Sequence, residues 1–189
     1  MCGIFGYFHR AGVSLPQQML QSMGKAIAHR GPDDQGIFAV PGVALGNQRL
    51  SIIDLQGGHQ PFVSDDGRIV VVQNGEIFNH VELASELAAR GNPCRTHSDT
   101  EVLLRLYELE GIGFLSKLNG MFAIAIYDAR EGAVYLARDR IGVKPLYIHD
   151  DGTQLTFSSE IKSLLQAGMS QPPMDEVALH HYLTFNYVP

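Results

Sequence analysis

Short apolar runs, each closed by a turn signal, constrain this 189-residue chain more than any other feature. Pro41–Gly42 separates two strand-like pieces, Gly36–Val40 and Val43–Gln48. Asp65–Asp66–Gly67 precedes a third, Arg68–Gln73, which ends at Asn74–Gly75–Glu76. Ile4–Phe8 reads as a buried strand, and Met121–Tyr127, Val134–Arg138, Pro145–His149 and Leu155–Ser158 supply four more. Strands this short, joined by hairpin turns, favour antiparallel sheets over a doubly wound parallel one.

Helical spacing falls between them, which suggests helices layered outside the sheets. Met19, Met23, Ala26 and Ile27 recur in a stretch opened by Ser14, with Pro16 in its first turn, that runs to about His29. A second stretch, Asn79 to Arg90, carries Val81, Ala84, Leu87 and Ala88 on one side. Ser98–Asp99–Thr100–Glu101 has capping-box spacing ahead of Val102, Leu103, Leu106 and Leu109. Further helices are expected at Phe114–Leu118, from Ser159–Glu160 to Ala167, and from Asp175 to about Phe185. Gln166–Pro173 reads as a linker at a domain edge, and Asn186–Pro189 as the interior of a longer chain.

A formal net charge of −6 argues against nucleic acid or an anionic membrane as partner. No apolar run approaches the ~18–20 residues of a spanning helix, and the first residues lack a signal peptide's basic flank. Two cysteines, Cys2 and Cys94, are too few for a disulfide framework and point to a reducing cytoplasm. Cys94 reads as a packing or surface residue. The eight histidines show no metal spacing, and His180 and His181 are neighbours pointing ~100° apart on a helix, so no metal site is expected.

The residues that could carry chemistry sit where apolar runs meet loops. Cys2 lies directly behind Met1, and a small second residue permits removal of the initiator. Cys2 would then carry a thiol and a free α-amine, a base able to take the thiol's proton near neutral pH. Arg49 can grip a carboxylate through two parallel hydrogen bonds, or can be a solvated charge. The Asn74 amide and the Gly75 N–H can converge on one oxygen as an oxyanion hole, the missing Cβ admitting substrate; Asn–Gly is also a common turn. Asp99 can pair with an ammonium or merely cap a helix. Arg138, Asp139 and Arg140 read as a buried ion-pair brace or a contact to a further domain, and Asp33–Asp34 as the stabiliser of a turn.

As a set, Met1–Gly6, His29–Asp34, Leu45–Asp54, Asn74–Ile77, Ser98–Glu101, Leu118–Ala123 and Arg138–Tyr147 resemble the glutaminase domain of class II glutamine amidotransferases over nearly the whole chain. Arg30–Gly31–Pro32–Asp33 and the Arg138–Tyr147 run are similar to the asparagine synthetase type within that family. Phe78–Asn79–His80 and Phe157–Ser158–Ser159–Glu160 depart mildly from its usual pattern, at positions with no chemical role.

The resemblance implies an α+β N-terminal-nucleophile hydrolase, a four-layer αββα sandwich of two antiparallel sheets between helices. Cys2 would be the nucleophile and its amine the base; Asn74 and Gly75 would form the oxyanion hole. Arg49 would hold the α-carboxylate of glutamine, Asp99 and Glu76 its α-ammonium, and the backbone around Leu50, Ile52 and Ile53 would line the pocket. Residues 1–170 would be the glutaminase domain, and 171–189 a linker and helix leading to a C-terminal ATP-pyrophosphatase (synthetase) domain that amidates an acceptor, aspartate in that type. ATP and Mg are expected only there, with no cofactor in this domain; Gly142–Val143–Lys144–Pro145 is not a phosphate loop. A homodimer of the full-length protein is compatible with this. Two other readings are a non-catalytic module of the same fold and an N-terminal-nucleophile amidase for another amide, although Arg49 and Asp99 match a zwitterionic head group.

Overall fold

Ile4, Phe5 and Tyr7 are buried because β1 (Gly3–His9) runs through the middle of a sheet. The computed structural model describes residues 2–170 and 173–188, so expectations that fall on Met1, on residues 171 and 172 of the linker and on Pro189 lie outside the described residues. β1 pairs antiparallel with β3 (Val43–Arg49), Phe5 opposite Gly46, and with β9 (Gln154–Ser158), Phe5 opposite Ser158. β2 (Asp34–Val40) and β8 (Tyr147–Asp150) complete the order β2-β3-β1-β9-β8. The Pro41–Gly42 hairpin joins Val40 directly to its partner Val43, with Gly42 at φ +78°. The second sheet takes β4 (Phe62–Val63), β5 (Ile69–Ile77), β6 (Gly120–Asp128) and β7 (Ala133–Arg138) in that order, again antiparallel.

The period-two alternation of strand side chains sorts the apolar residues into three layers. Ile4, Val43, Leu45 and Phe157 meet Val70, Val72, Ala123 and Ala125 between the sheets. Phe5 and Tyr7 point the other way, onto Leu20 and Met23 of α1 (Gln17–Ala26) and Ile27, with α4 (Ile161–Gln166) packed beside α1. Ile69 and Val71 lie under Leu83 and Leu87 of α2 (His80–Ala89) and Val102, Leu103 and Leu106 of α3 (Asp99–Glu110). The molecule is therefore the expected α+β αββα sandwich. β5 is covered on both faces, which is why Ile69–Val72 reads as a continuous apolar run. Each such fully buried side chain contributes about 1.5–3 kcal/mol.

Several local expectations need correction. Ser14 does not cap α1: Pro16 occupies the N-cap, and the Ser14 hydroxyl instead accepts the Gly42 N–H at 3.4 Å. α2 buries Leu83 and Leu87, whereas Val81 and Ala88 are exposed, because the i, i+4 leucine pair sets the inward stripe. Ser98 caps α3 through the Thr100 N–H, but Glu101 bonds the N–H groups of Arg95 and Thr96 rather than closing a capping box. The expected helix at Phe114–Leu118 is a 3₁₀ segment, Gly111–Lys117. β4 had no counterpart in the sequence reading, two residues being too short to show alternation. Among the described residues the expected brace at Arg138–Arg140 makes no ion pair. Asp139 accepts backbone N–H groups of Phe122, Val143 and Lys144, while Arg138 donates to the carbonyls of Gly142 and Lys144. α5 (Glu176–Phe185), capped by Asp175, buries none of its residues.

Candidate functional site

Cys2 stands just ahead of β1, on the edge of a cleft of about 610 Å³, part of it open to solvent. Its half-buried thiol lies between the Leu50 N–H, which donates to Sγ at 3.4 Å, and the Leu50 carbonyl, which accepts at 3.6 Å. The Cys2 carbonyl accepts from Arg30 Nε at 3.0 Å, and Arg30 Nη1 is held by Glu160 at 3.1 Å. Ser159 fixes the strand that follows, its hydroxyl accepting the Ile4 N–H at 2.9 Å and its own N–H reaching the Ile4 carbonyl at 2.8 Å. The other thiol, Cys94, packs against the α2–α3 core, where burial pushes it up to about 11.

Arg49 ends β3 and is buried. Its Nη2 donates to the carbonyls of Ile53 (3.0 Å) and Asp54 (2.7 Å), and Nη1 to that of Leu55 at 3.5 Å. One guanidinium thus organises the loop that carries Leu50, Ile52 and Ile53 along the cleft, with donors to spare for a ligand. Asp54, at φ +47°, accepts the Gly57 and His97 N–H groups, each at 2.8 Å, and ties this loop to the entrance of α3. Asp33 adds a clamp by accepting the Ser51 N–H at 2.8 Å.

Asn74 and Gly75 do not form a turn; they continue β5, with Gly75 opposite Phe122 of β6. Gly75 sits at φ +154°, and a Cβ there would lie 2.1 Å from the Met121 carbonyl oxygen. Glycine is thus required first by the close approach of β6. Asn74 is fully buried, with Nδ2 3.5 Å from the Ser159 hydroxyl and Oδ1 without a hydrogen-bond partner among the described residues. Glu76 is half-buried on the cleft wall. Asp99 opens the first turn of α3, where a negative charge complements the helix dipole. Its Oδ2 accepts from the Ile77 N–H at 3.0 Å and from Gln73 Nε2 at 2.9 Å. Burial pushes the Asp99 carboxyl above its ordinary value, and these two donors oppose that push.

All nine positions singled out from the sequence, Cys2, Arg49, Leu50, Ile52, Ile53, Asn74, Gly75, Glu76 and Asp99, therefore line one cleft. Gly58, Gln60, Ser98, Thr100, Met121 and Lys144 line it too, and were given no role in binding or chemistry. Arg30, Glu160 and Ser159, which fix Cys2 and its strand, were also missed. The only available signal was polar residues breaking apolar runs, as Gln73 breaks Val70–Val72. Among the described residues no group of His, Cys, Asp and Glu could hold a metal ion, and no helix is long and apolar enough to cross a membrane.

A family model described as a glutamine amidotransferase domain matches residues 1–189. Asparagine synthetase [glutamine-hydrolyzing] 1 of Bacillus subtilis (strain 168) is 41% identical over 192 residues, which cover 100% of this chain and 30% of that protein. Asparagine synthetase B [glutamine-hydrolyzing] of Escherichia coli (strain K12) is 41% identical over 168 residues, 87% of this chain and 30% of that one. The chain thus spans under a third of the length of these two relatives. Among solved structures, the glutamine phosphoribosylpyrophosphate amidotransferase of B. subtilis shares the fold, with a TM-score of 0.74 at 24% identity over 88% of this chain and 44% of that one.

Proposed function

Because the chain belongs to the glutamine amidotransferase domain family, we propose that it hydrolyses the side-chain amide of glutamine through a thioester on Cys2. The observation that carries the reading is the single cleft shared by the Cys2 thiol, Asn74, Gly75, Arg49 and Asp99. With Met1 removed, the Cys2 amine takes the thiol proton and the thiolate attacks the amide carbon. The developing oxyanion is met by the Asn74 side chain and the Gly75 N–H, where loss of one donor typically costs ~10²–10³ in rate. A half-turn of the Asn74 amide lets Ser159 donate to Oδ1 and leaves Nδ2 for the oxyanion. The protonated amine then gives its proton to the departing nitrogen, releasing ammonia. Water, activated by the same amine, cleaves the thioester to glutamate. Arg49 holds the α-carboxylate of the substrate, Asp99 and Glu76 its α-ammonium, and the backbone around Leu50, Ile52 and Ile53 walls the pocket.

The named relatives lead us to propose further that the ammonia amidates aspartate in a C-terminal ATP-pyrophosphatase domain, residues 1–170 being the glutaminase unit and 171–189 the passage between them. ATP and Mg would act in that domain and no cofactor in this one. An apolar groove with exposed Phe78, Ile141 and Val143 shares Met121 with the cleft and is where we place that domain. The unpaired thiols Cys2 and Cys94 fit a cytoplasmic setting. A glutamine-like diazo-ketone is expected to label one thiol per chain. Cys2→Ala should abolish labelling and Cys94→Ala should not; unchanged labelling of the first variant would end the proposal.

A further inference from the structure

Gln73 interrupts the apolar run of β5 and is only 1% exposed, so both ends of its amide need partners. Nε2 donates to Asp99 Oδ2 at 2.9 Å, and Oε1 accepts from the Thr100 hydroxyl at 3.2 Å. Thr100 Oγ1 accepts in turn from Gln60 Nε2 at 3.1 Å, and Gln60 Oε1 accepts the backbone N–H of Gln73 at 2.7 Å. Asn47 Nδ2 pins the same residue by donating to its carbonyl at 3.0 Å.

This circuit has one polarity. A backbone N–H can only donate, so Gln60 must turn its oxygen to Gln73 and its NH₂ to Thr100. Thr100 has then accepted once, and its proton goes to Gln73 Oε1. What remains facing Asp99 is the Gln73 NH₂, alongside the Ile77 N–H, so Oδ2 meets donors from both. The proton of a neutral carboxyl would find no acceptor on that side. Among the described residues no side-chain hydrogen bond joins Gln60, Thr100 or Gln73 to Cys2, Asn74 or Gly75.

We infer that Gln60, Thr100 and Gln73 form a positioning relay that presents Asp99 to the cleft as an oriented carboxylate, making the site selective for ligands with a free α-ammonium. The inference rests on the reading that Asp99 receives that ammonium. A relay of this kind acts on recognition of the head group and leaves the acyl-transfer step alone. A merely structural network would, when broken, loosen the site for every substrate alike.

The test compares L-glutamine with glutaramate, the same amide without the α-ammonium, in glutamate- or glutarate-release assays of the chain. The wild type should prefer L-glutamine. Gln73→Met, which keeps side-chain length and removes the donor, is expected to raise the KM for L-glutamine about tenfold with kcat within about twofold, as loss of one charge-assisted bond predicts. Its kcat/KM for glutaramate should stay within about twofold of wild type, so the preference falls about tenfold. Thr100→Val, nearly isosteric, should shift the preference in the same direction and carries the test alone if Gln73→Met does not fold. A wild-type KM in folded variants, or equal losses on both substrates, overturns the relay. A wild type that hydrolyses neither amide overturns the glutaminase reading, and the relay falls with it.

Discussion

Replacing Gly75 by alanine separates two reasons for a glycine in this cleft. If the position is small only so that substrate can approach, the variant folds normally and fails in turnover. The structure demands more, because the new Cβ would lie 2.1 Å from the Met121 carbonyl oxygen and 2.7 Å from the Phe122 Cα, both in β6. Ordinary contact begins near 3.4 Å, and the obstacle is backbone inside a sheet rather than the tip of a flexible side chain. Overpacking of this kind costs about 1–3 kcal/mol. Holding an alanine at φ +154° adds a further penalty of about 1–3 kcal/mol. The expected loss is about 2–6 kcal/mol, or a melting temperature lower by roughly 5–20 °C for a chain of this size. Gly91→Ala is the control: φ is also positive, at +80°, but nothing lies within 4 Å of its Cβ, so only the backbone penalty of about 1–2 kcal/mol applies. Urea melts followed by circular dichroism measure both. Equal stability of the two variants would refute the steric argument.

Arg49→Ala should raise the KM for glutamine at least about tenfold, as loss of a charge-assisted contact predicts, and should also expose the loop after β3 to limited proteolysis; a normal KM or an unchanged cleavage pattern would contradict one of its two roles. Asp128 is fully buried and accepts from Arg130 Nη2 at 2.6 Å, Arg130 Nε at 2.9 Å and the Tyr107 hydroxyl at 3.1 Å. The Arg130 bond holds its carboxyl below the ordinary range. A depressed carboxyl stabilises the fold above its unfolded pKa and loses that effect as pH falls through the lower folded value. Asp128→Asn should therefore cost about 1–3 kcal/mol at neutral pH, and its gap to wild type should close in urea melts taken well below about pH 4. A gap independent of pH would refute the sign.

Features that arise within a few residues could be read from the sequence. Pro41–Gly42 gave its hairpin, Ser98 its cap, and the strand-end residue Arg49 its place at the cleft, because chain direction alone carries a side chain to the end of its strand. Features made by distant segments could not. Arg30 holds the Cys2 carbonyl only while Glu160, 130 positions later, holds Arg30. The inward face of α2 depends on where β5 lies, which favours Leu83 over Val81 and leaves no local trace. Gly75 looked like an opening for substrate because the strand pressing on it, β6, begins 45 positions downstream at Gly120.

β1 lies between β3 and β9, and its Ile4 N–H finds the Ser159 hydroxyl 155 positions away. A ribosome adding about 5–20 residues per second delivers those two groups roughly 8–30 seconds apart. Throughout that interval β1 waits with the edge that will face β9 open. Leu50, which flanks the thiol, emerges early, but Ser159 and Glu160, which fix β1 and Arg30, come only after β9, so a nascent chain cut short before β9 would carry the sulfur without the groups that fix its strand.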